Sequence, residues 1–178
     1  MYKKKSLGQH FLRSQHYLGL IASTANIKAG ERVLEIGPGM GVLTKYLIEK
    51  DIDLVAMDVD SDSVSYLETN FTNANLKLLE ADFLRYDLSD IFGKESFAVT
   101  GNFPYNISTQ IVFKTLENKE YIPEFSGMFQ KEVAQRICAK EGSKTYGILS
   151  VLAQAFYEAE YLFTVPPTVF NPPPKVES

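Results

Sequence analysis

Histidine and cysteine are nearly missing from this chain. One cysteine, Cys138, and two histidines, His10 and His16, are all that its 178 residues contain. A lone cysteine forms no internal disulfide, which fits a reducing cytoplasm. One cysteine far in sequence from two histidines argues against a zinc site, so no metal is expected. No apolar run approaches the length of a membrane span, so no membrane partner is expected. Lys3, Lys4 and Lys5 have no apolar stretch behind them, which argues against a secretory signal. A basic excess is missing as well. The formal net charge is −4, whereas a nucleic-acid binder usually carries a basic footprint. The charge is uneven, however. Lys3, Lys4, Lys5 and Arg13 cluster at the start, and Lys131, Arg136, Lys140 and Lys144 cluster later. Solvated charged faces are the common explanation of such clusters.

What is present is ordinary for a soluble domain: 45% hydrophobic and 22% charged residues, in a length that buries a real core. Residues 1–14 read as a basic arm and residues 15–28 as a helix with Leu18, Ile21 and Ala22 on one face. Arg32–Ile36 is a short apolar strand, followed at once by Gly37-Pro38-Gly39-Met40-Gly41 and a helix carrying Leu43, Tyr46 and Leu47. Glycines in such a turn let the backbone approach a ligand, and the helix start offers free N–H groups. Leu54–Met57 is a second buried strand ending at Asp58, about 20 residues past the first glycine, where a nucleotide-binding βαβ unit carries its ribose-binding acid. The glycine spacing is G-x-G-x-G, not the dinucleotide binders' G-x-G-x-x-G, and Glu35 sits on the strand just before it. A tight strand–helix turn with a surface aspartate is the plainer reading of the same residues.

Further along, the pattern predicts a helix over Ser61–Phe71 capped by Ser61 or Asp62, and a third strand over Leu76–Leu79. Asp82 follows that strand, where it can accept from an adenine amino group or simply cap a turn, and Phe83 is placed to pack on a ring. Phe97–Gly101 is a fourth strand, and Ser108 caps a helix bearing Ile111, Val112 and Leu116. Phe125–Phe129 reads as a fifth strand, Lys131–Ala139 as a helix, and a further helix runs to about Ala155. Tyr161–Val165 reads as a sixth strand before a proline-rich end, residues 166–178, that no helix can occupy. Alternating strands and helices imply an α/β fold with a mostly parallel sheet covered on both faces. Its ligand crevice lies at the carboxyl ends of the strands, and Gly37, Asp58, Asp82 and Asn102 all fall at such ends.

Asn102 opens the stretch Asn102-Phe103-Pro104-Tyr105. Asn102 offers a carbonyl acceptor, Pro104 fixes the backbone without an N–H of its own, and Tyr105 presents a flat face. Such a set suits a planar group with an exocyclic amine, such as adenine. Phe170, an aromatic in a rigid loop, is a candidate second wall. Taken alone, the stretch is equally a strand followed by a turn.

These pieces together resemble the ribosomal-RNA adenine dimethyltransferase family of the KsgA (RsmA) type, over nearly the whole chain. The resemblance is carried by Lys5-Ser6-Leu7-Gly8-Gln9-His10-Phe11-Leu12, Glu35-Ile36-Gly37-Pro38-Gly39-Met40-Gly41, Gly101-Asn102-Phe103-Pro104-Tyr105-Asn106-Ile107-Ser108, Gln130-Lys131-Glu132-Val133-Ala134 and Pro172-Pro173-Pro174-Lys175-Val176-Glu177-Ser178. It implies a Rossmann-like class I methyltransferase fold and a cytoplasmic, monomeric enzyme that uses S-adenosylmethionine. Its implied partner is small-subunit rRNA in an immature subunit, with N6 of two adjacent adenosines near the 3′ end dimethylated. By motif, His10 and Leu12 would flank the methionine part of the cofactor and Gly37 would approach it. Asp58 would hold the ribose and Asp82 the cofactor adenine. Asn102 would lie between cofactor and target base, with Pro104 as a further acceptor. Tyr105 and Phe170 would sandwich the target adenine. Phe103 stands where the family usually has Leu or Ile, and Asp58 where many relatives have Glu; both are expected to have small effects. The family continues beyond the proline-rich segment into a last strand and a small helical RNA-binding domain, so residues 1–178 are expected to be the catalytic domain. Erythromycin-resistance enzymes, which modify large-subunit rRNA, share the Asn102–Tyr105 arrangement. An assembly factor acting mainly by binding RNA is the reading from another class. A nicotinamide dehydrogenase would need the other glycine spacing.

Overall fold

A computed structural model describes residues 10–24, 26–28 and 30–178. Most of the basic arm, including Lys5-Ser6-Leu7-Gly8-Gln9, lies outside the described residues. The elements, in order, are β1 (Phe11–Leu12), α1 (Gln15–Thr24), β2 (Arg32–Ile36), α2 (Thr44–Leu47), β3 (Asp53–Asp58), α3 (Ser61–Asn70), β4 (Leu76–Glu80), β5 (Ala98–Thr100), α4 (Ser108–Glu117), α5 (Lys131–Ile137), α6 (Ile148–Phe156) and β6 (Phe170–Asn171).

Four strands form one parallel sheet in the order β4-β3-β2-β5. Side chains alternate across a strand, so each one feeds two cores. Leu34, Ile36, Val55, Met57 and Val99 face α4, packing with Ile111, Val112 and Leu116. Val33, Leu54 and Ala98 face the other way, onto Leu18, Ile21 and Ala22 of α1 and Leu43 and Leu47 around α2. With both faces covered, the strands read as nearly continuous apolar runs, as parallel sheets require.

The strand order reverses at β2. The chain winds outward from β2 to β3 and β4, then returns to place β5 on the opposite side of β2. That reversal opens a crevice above the carboxyl ends of β2 and β5. A second, two-stranded antiparallel sheet pairs β1 with β6, joining Phe11 to Asn171 and Leu12 to Phe170.

Several sequence expectations are corrected. Phe125–Phe129 is not a full strand: it lies along β5 through two parallel bridges, Val99 to Phe125 and Asn102 to Met128. Tyr161–Val165 is not a strand of the sheet either. Its one ladder-like contact among the described residues is between Val165 and Ser178, which exchange two backbone hydrogen bonds of 2.6 and 3.0 Å. The α3 helix starts after Asp60, whose carboxylate accepts from the Ser63 hydroxyl at 3.0 Å, so neither Ser61 nor Asp62 is the cap. Ser108 is the first helical residue of α4, and its hydroxyl donates back to the Tyr105 carbonyl at 3.2 Å.

Candidate active site

The glycine turn is set by packing as much as by conformation. Gly37, Gly39 and Gly41 all have positive φ, at 66°, 53° and 74°, which other residues rarely adopt. Gly41 has a second constraint: a Cβ there would lie 2.5 Å from the Phe71 ring at the end of α3. The Gly37 N–H donates to the Met57 carbonyl at 2.9 Å, tying the turn after β2 to the end of β3.

Asp58 closes this arrangement from β3. Its Oδ2 accepts from the Gly39 N–H at 3.1 Å and its Oδ1 from the Asp60 N–H at 2.9 Å. A carboxylate has about four acceptor positions, so capacity remains for a ligand. Burial raises the Asp58 pKa, against the opposing pull of those two hydrogen bonds. Glu35, on β2, is 1% exposed and accepts from the Thr44 hydroxyl at 2.7 Å. Its pKa is pushed up to about 8, first by burial, with the Thr44 hydrogen bond opposing and the Asp58 charge adding to the rise.

On the other side of the crevice, β5 delivers Gly101-Asn102-Phe103-Pro104-Tyr105. A Cβ on Gly101 would lie 2.6 Å from the Ile36 carbonyl oxygen, so the absence of a side chain lets β5 run against β2 at this point. Phe103 turns inward, 1% exposed, and stacks with Phe125 at 5.4 Å between ring centroids. That anchor leaves Asn102 and Pro104 facing the crevice. The Asn102 amide donates to the His10 carbonyl at 3.4 Å, leaving its Oδ1 as an acceptor. The Pro104 carbonyl accepts from the Ile107 N–H at 3.2 Å and keeps a second lone pair. The Tyr105 hydroxyl is hydrogen-bonded to the Ser178 hydroxyl, and burial raises its pKa. The His10 ring lies over Tyr105 with centroids 5.2 Å apart and planes at 27°. His10 Nδ1 in turn reaches the Pro172 carbonyl at 3.0 Å.

One pocket of about 300 Å³, within the range of small-molecule sites, joins these groups. It brings together seven of the nine residues expected from sequence: His10, Gly37, Asp58, Asp82, Asn102, Pro104 and Tyr105. Leu12 and Phe170 are not among its lining residues. They are 1% and 4% exposed and pair across β1 and β6 within the core on the α1 side. A ring that deep presents no face to a base in this arrangement. Phe83 is also corrected: it is 4% exposed inside the α4-side core, and Leu84 takes its place at the pocket. Asp82 does line the pocket, and it also makes the turn contact, accepting from the Leu84 N–H at 3.0 Å.

Val59 and Leu84 were not singled out from sequence. Val59 directly follows Asp58 and is 56% exposed, an apolar surface left uncovered at the pocket. The available signal was an apolar residue immediately after a strand-end acid. A larger cleft of about 440 Å³, lined by Phe125 to Phe129, Tyr157 and Phe163, contains none of the expected residues. Among the described residues, no group of three His, Cys, Asp or Glu side chains is placed to hold a metal ion. No described helix is long and apolar enough to cross a membrane.

The family model for ribosomal RNA adenine dimethylase matches residues 1–178. Ribosomal RNA small subunit methyltransferase A of Flavobacterium johnsoniae is 59% identical over 175 residues, covering 98% of this chain and 67% of that protein. Among solved structures, a dimethyladenosine transferase from Plasmodium falciparum superposes with a TM-score of 0.81 at 32% identity, covering 94% of this chain and 60% of that one. The 23S rRNA methyltransferase ErmE gives a TM-score of 0.81 at 29% identity, covering 94% and 66%. The chain spans about two thirds of the length of the curated relatives it matches.

Proposed function

The chain belongs to the ribosomal RNA adenine dimethylase family, and from that premise we propose that it dimethylates N6 of two adjacent adenosines near the 3′ end of small-subunit rRNA, with S-adenosylmethionine as cofactor. The observation that carries the reading is the convergence of a glycine turn, a strand-end acid and an Asn-Phe-Pro-Tyr turn on one pocket. The small-subunit target is favoured over the large-subunit one by the 59% identity to a small-subunit enzyme, against 29% to ErmE.

The residues present fit the cofactor. Gly37, where a Cβ would come within 3.7 Å of Pro104, keeps the turn bare of side chains beside the catalytic loop. Asp58 retains acceptor positions for ribose hydroxyls, Val59 and Leu84 offer apolar surface to a purine, and Asp82 offers an acceptor to its amino group. S-adenosylmethionine supplies an electrophilic methyl on a sulfonium. The protein's part is to prepare the nucleophile. The N6 lone pair of adenine is delocalised into its ring, so the amine must be rehybridised as well as positioned. Asn102 Oδ1 and the Pro104 carbonyl each accept one N6–H, which draws the nitrogen lone pair toward a tetrahedral direction. Positioning and electrostatics of this kind supply most of the rate. No general base is required, because the methylated nitrogen is acidic enough to lose its proton to water.

The target base must leave its stack to enter. Tyr105 offsets that cost by stacking, worth about 1–3 kcal/mol. His10 covers the Tyr105 ring, so base entry on that face requires the imidazole to yield. After one methylation a single N–H remains, so one of the two acceptors becomes dispensable.

The deciding experiment transfers labelled methyl to small ribosomal subunits lacking the modification and digests the RNA. N6,N6-dimethyladenosine is the expected product; label in large subunits instead would favour the ErmE-like reading. Asn102→Ala is expected to lose transfer while binding cofactor nearly as before, and near-normal turnover in that variant would remove Asn102 from its role.

A further inference from the structure

The pocket is acidic, yet the proposed acceptor is a polyanion. Glu35, Asp58 and Asp82 line the pocket, and no Lys or Arg is among its described lining residues. A nucleotide drawn out of its stack needs its backbone held where the base enters. That calls for a cation just outside the acceptor end, and two separate tethers bring Lys131 there. The first starts at Tyr105, whose hydroxyl is hydrogen-bonded to the Ser178 hydroxyl. The residue before Ser178 is Glu177. Its carbonyl accepts from the Lys131 backbone N–H at 2.9 Å, and its carboxylate accepts from the Lys131 ammonium at 2.6 Å. The second tether starts at the Asn-Phe-Pro-Tyr turn. The Gly101 carbonyl accepts from the Met128 N–H at 3.0 Å, and the Phe103 N–H donates to the Met128 carbonyl at 3.2 Å. Three residues after Met128, Lys131 opens α5. The other cations of the same cluster are placed differently. Arg136 stands more than a turn along α5, paired with Glu132, and Lys140 and Lys144 lie beyond the end of that helix. The side chains of Lys131 and Glu177 are 37% and 46% exposed, so a phosphate can reach the pair. An exposed pair of this kind contributes little, so exchanging one anion for another costs little. Lysine suits such an exchange, being a point charge on a flexible stem.

We propose that Lys131 is a substrate-binding residue, whose ammonium leaves Glu177 for a backbone phosphate beside the target adenosine and so fixes the strand while the base lies against Tyr105. The inference rests on the functional reading above. Its signature is exchange. Glu177 competes with the phosphate for one ammonium, so the two members of the pair act on RNA binding with opposite signs. A pair that served the fold alone would act with the same sign from either side.

Initial rates of methyl transfer to small ribosomal subunits lacking the modification, measured over a range of monovalent salt at fixed magnesium, test this directly. Lys131→Gln should raise the KM for subunits about fivefold at low salt and leave the KM for S-adenosylmethionine in place. The slope of log KM against log salt should fall by about 0.7 to 0.9, the share of one phosphate contact. Lys131→Arg keeps the charge and should restore both quantities, which guards against a folding defect in the glutamine variant. Glu177→Gln removes the competitor, keeps the backbone bond to Lys131, and should lower the KM for subunits about twofold. A rise in that KM for Glu177→Gln to match Lys131→Gln makes the pair structural and overturns the proposal. An unchanged salt slope in Lys131→Gln also overturns it, as does a rise confined to the KM for S-adenosylmethionine. Failure of the wild-type chain to label small subunits overturns the functional reading and this inference with it, whereas transfer without the opposed signs overturns this inference alone.

Discussion

Glu35 couples the site to stability. Burial lifts its folded pKa to about 8, above the group's ordinary value of 4.5, so between those pH values the folded state binds more protons than the unfolded chain. Stability is then fully present below about pH 4.5, declines as pH rises, and levels off above about pH 8. The decline is on the order of a few kcal/mol. Urea denaturation from pH 5 to 9 is expected to show that slope, and Glu35→Gln to flatten it. On the proposed function, the readout at Tyr105 is binding of the methyl acceptor. Tyr105→Ala should raise KM for RNA roughly 5- to 150-fold, the equivalent of a lost base stack at about 1–3 kcal/mol. Tyr105→Phe, which keeps the ring and loses only the hydroxyl contact to Ser178, should stay close to wild type in acceptor KM.

Among the elements, the segment beside β5 has the tightest steric constraint. A Cβ on Gly127 would lie 2.1 Å from the Phe103 ring and 2.7 Å from the Gly101 carbonyl oxygen. Gly127→Ala is therefore expected to destabilise by about 1–3 kcal/mol through overpacking, seen as a lower Tm. Phe103→Leu in the same chain should recover part of the loss, giving a non-additive double-mutant cycle. The segment also shows where sequence reading stops. Strands β2 and β3 were legible because strands buried on both faces carry apolar runs, and the half-buried edge strand β4 was legible by its leucines. Their terminal acids were legible because a parallel sheet gathers its carboxyl ends along one edge. Phe125–Phe129 has the same apolar look, yet it bridges β5 at two points without becoming a ladder. Tyr161–Val165 alternates like a strand but has no neighbouring sheet strand among the described residues; there, only Val165 finds a backbone partner, in Ser178. Leu12 and Phe170 lie outside the pocket for a related reason. Their positions follow from pairing β1 with β6, segments almost a chain length apart, and no local pattern records which face such a pairing buries.

For the molecule as a whole, the pocket is built from the ends of every strand of the large sheet: Glu35 and Gly37 from β2, Asp58 from β3, Asp82 after β4 and Asn102 after β5. A ligand held by all four ties the sheet edge together and binds only the folded chain. With S-adenosylmethionine at a hundred times its Kd, stabilisation of about 2.7 kcal/mol is expected, read as a rise in Tm by differential scanning fluorimetry. Asp58→Ala should shrink that rise at the same ligand concentration, because it removes the proposed ribose acceptor and a partner of the Gly39 N–H.

The contact between Phe103 and Gly127 reaches beyond this one molecule. A ring at one position and a bare backbone at the other form a single inherited character. Where position 103 is a smaller aliphatic residue, as is usual in the family, position 127 is released to accept side chains, while a ring at 103 holds 127 at glycine. Substitutions at the two sites should therefore be correlated across the family tree, with glycine at 127 preceding the ring at 103.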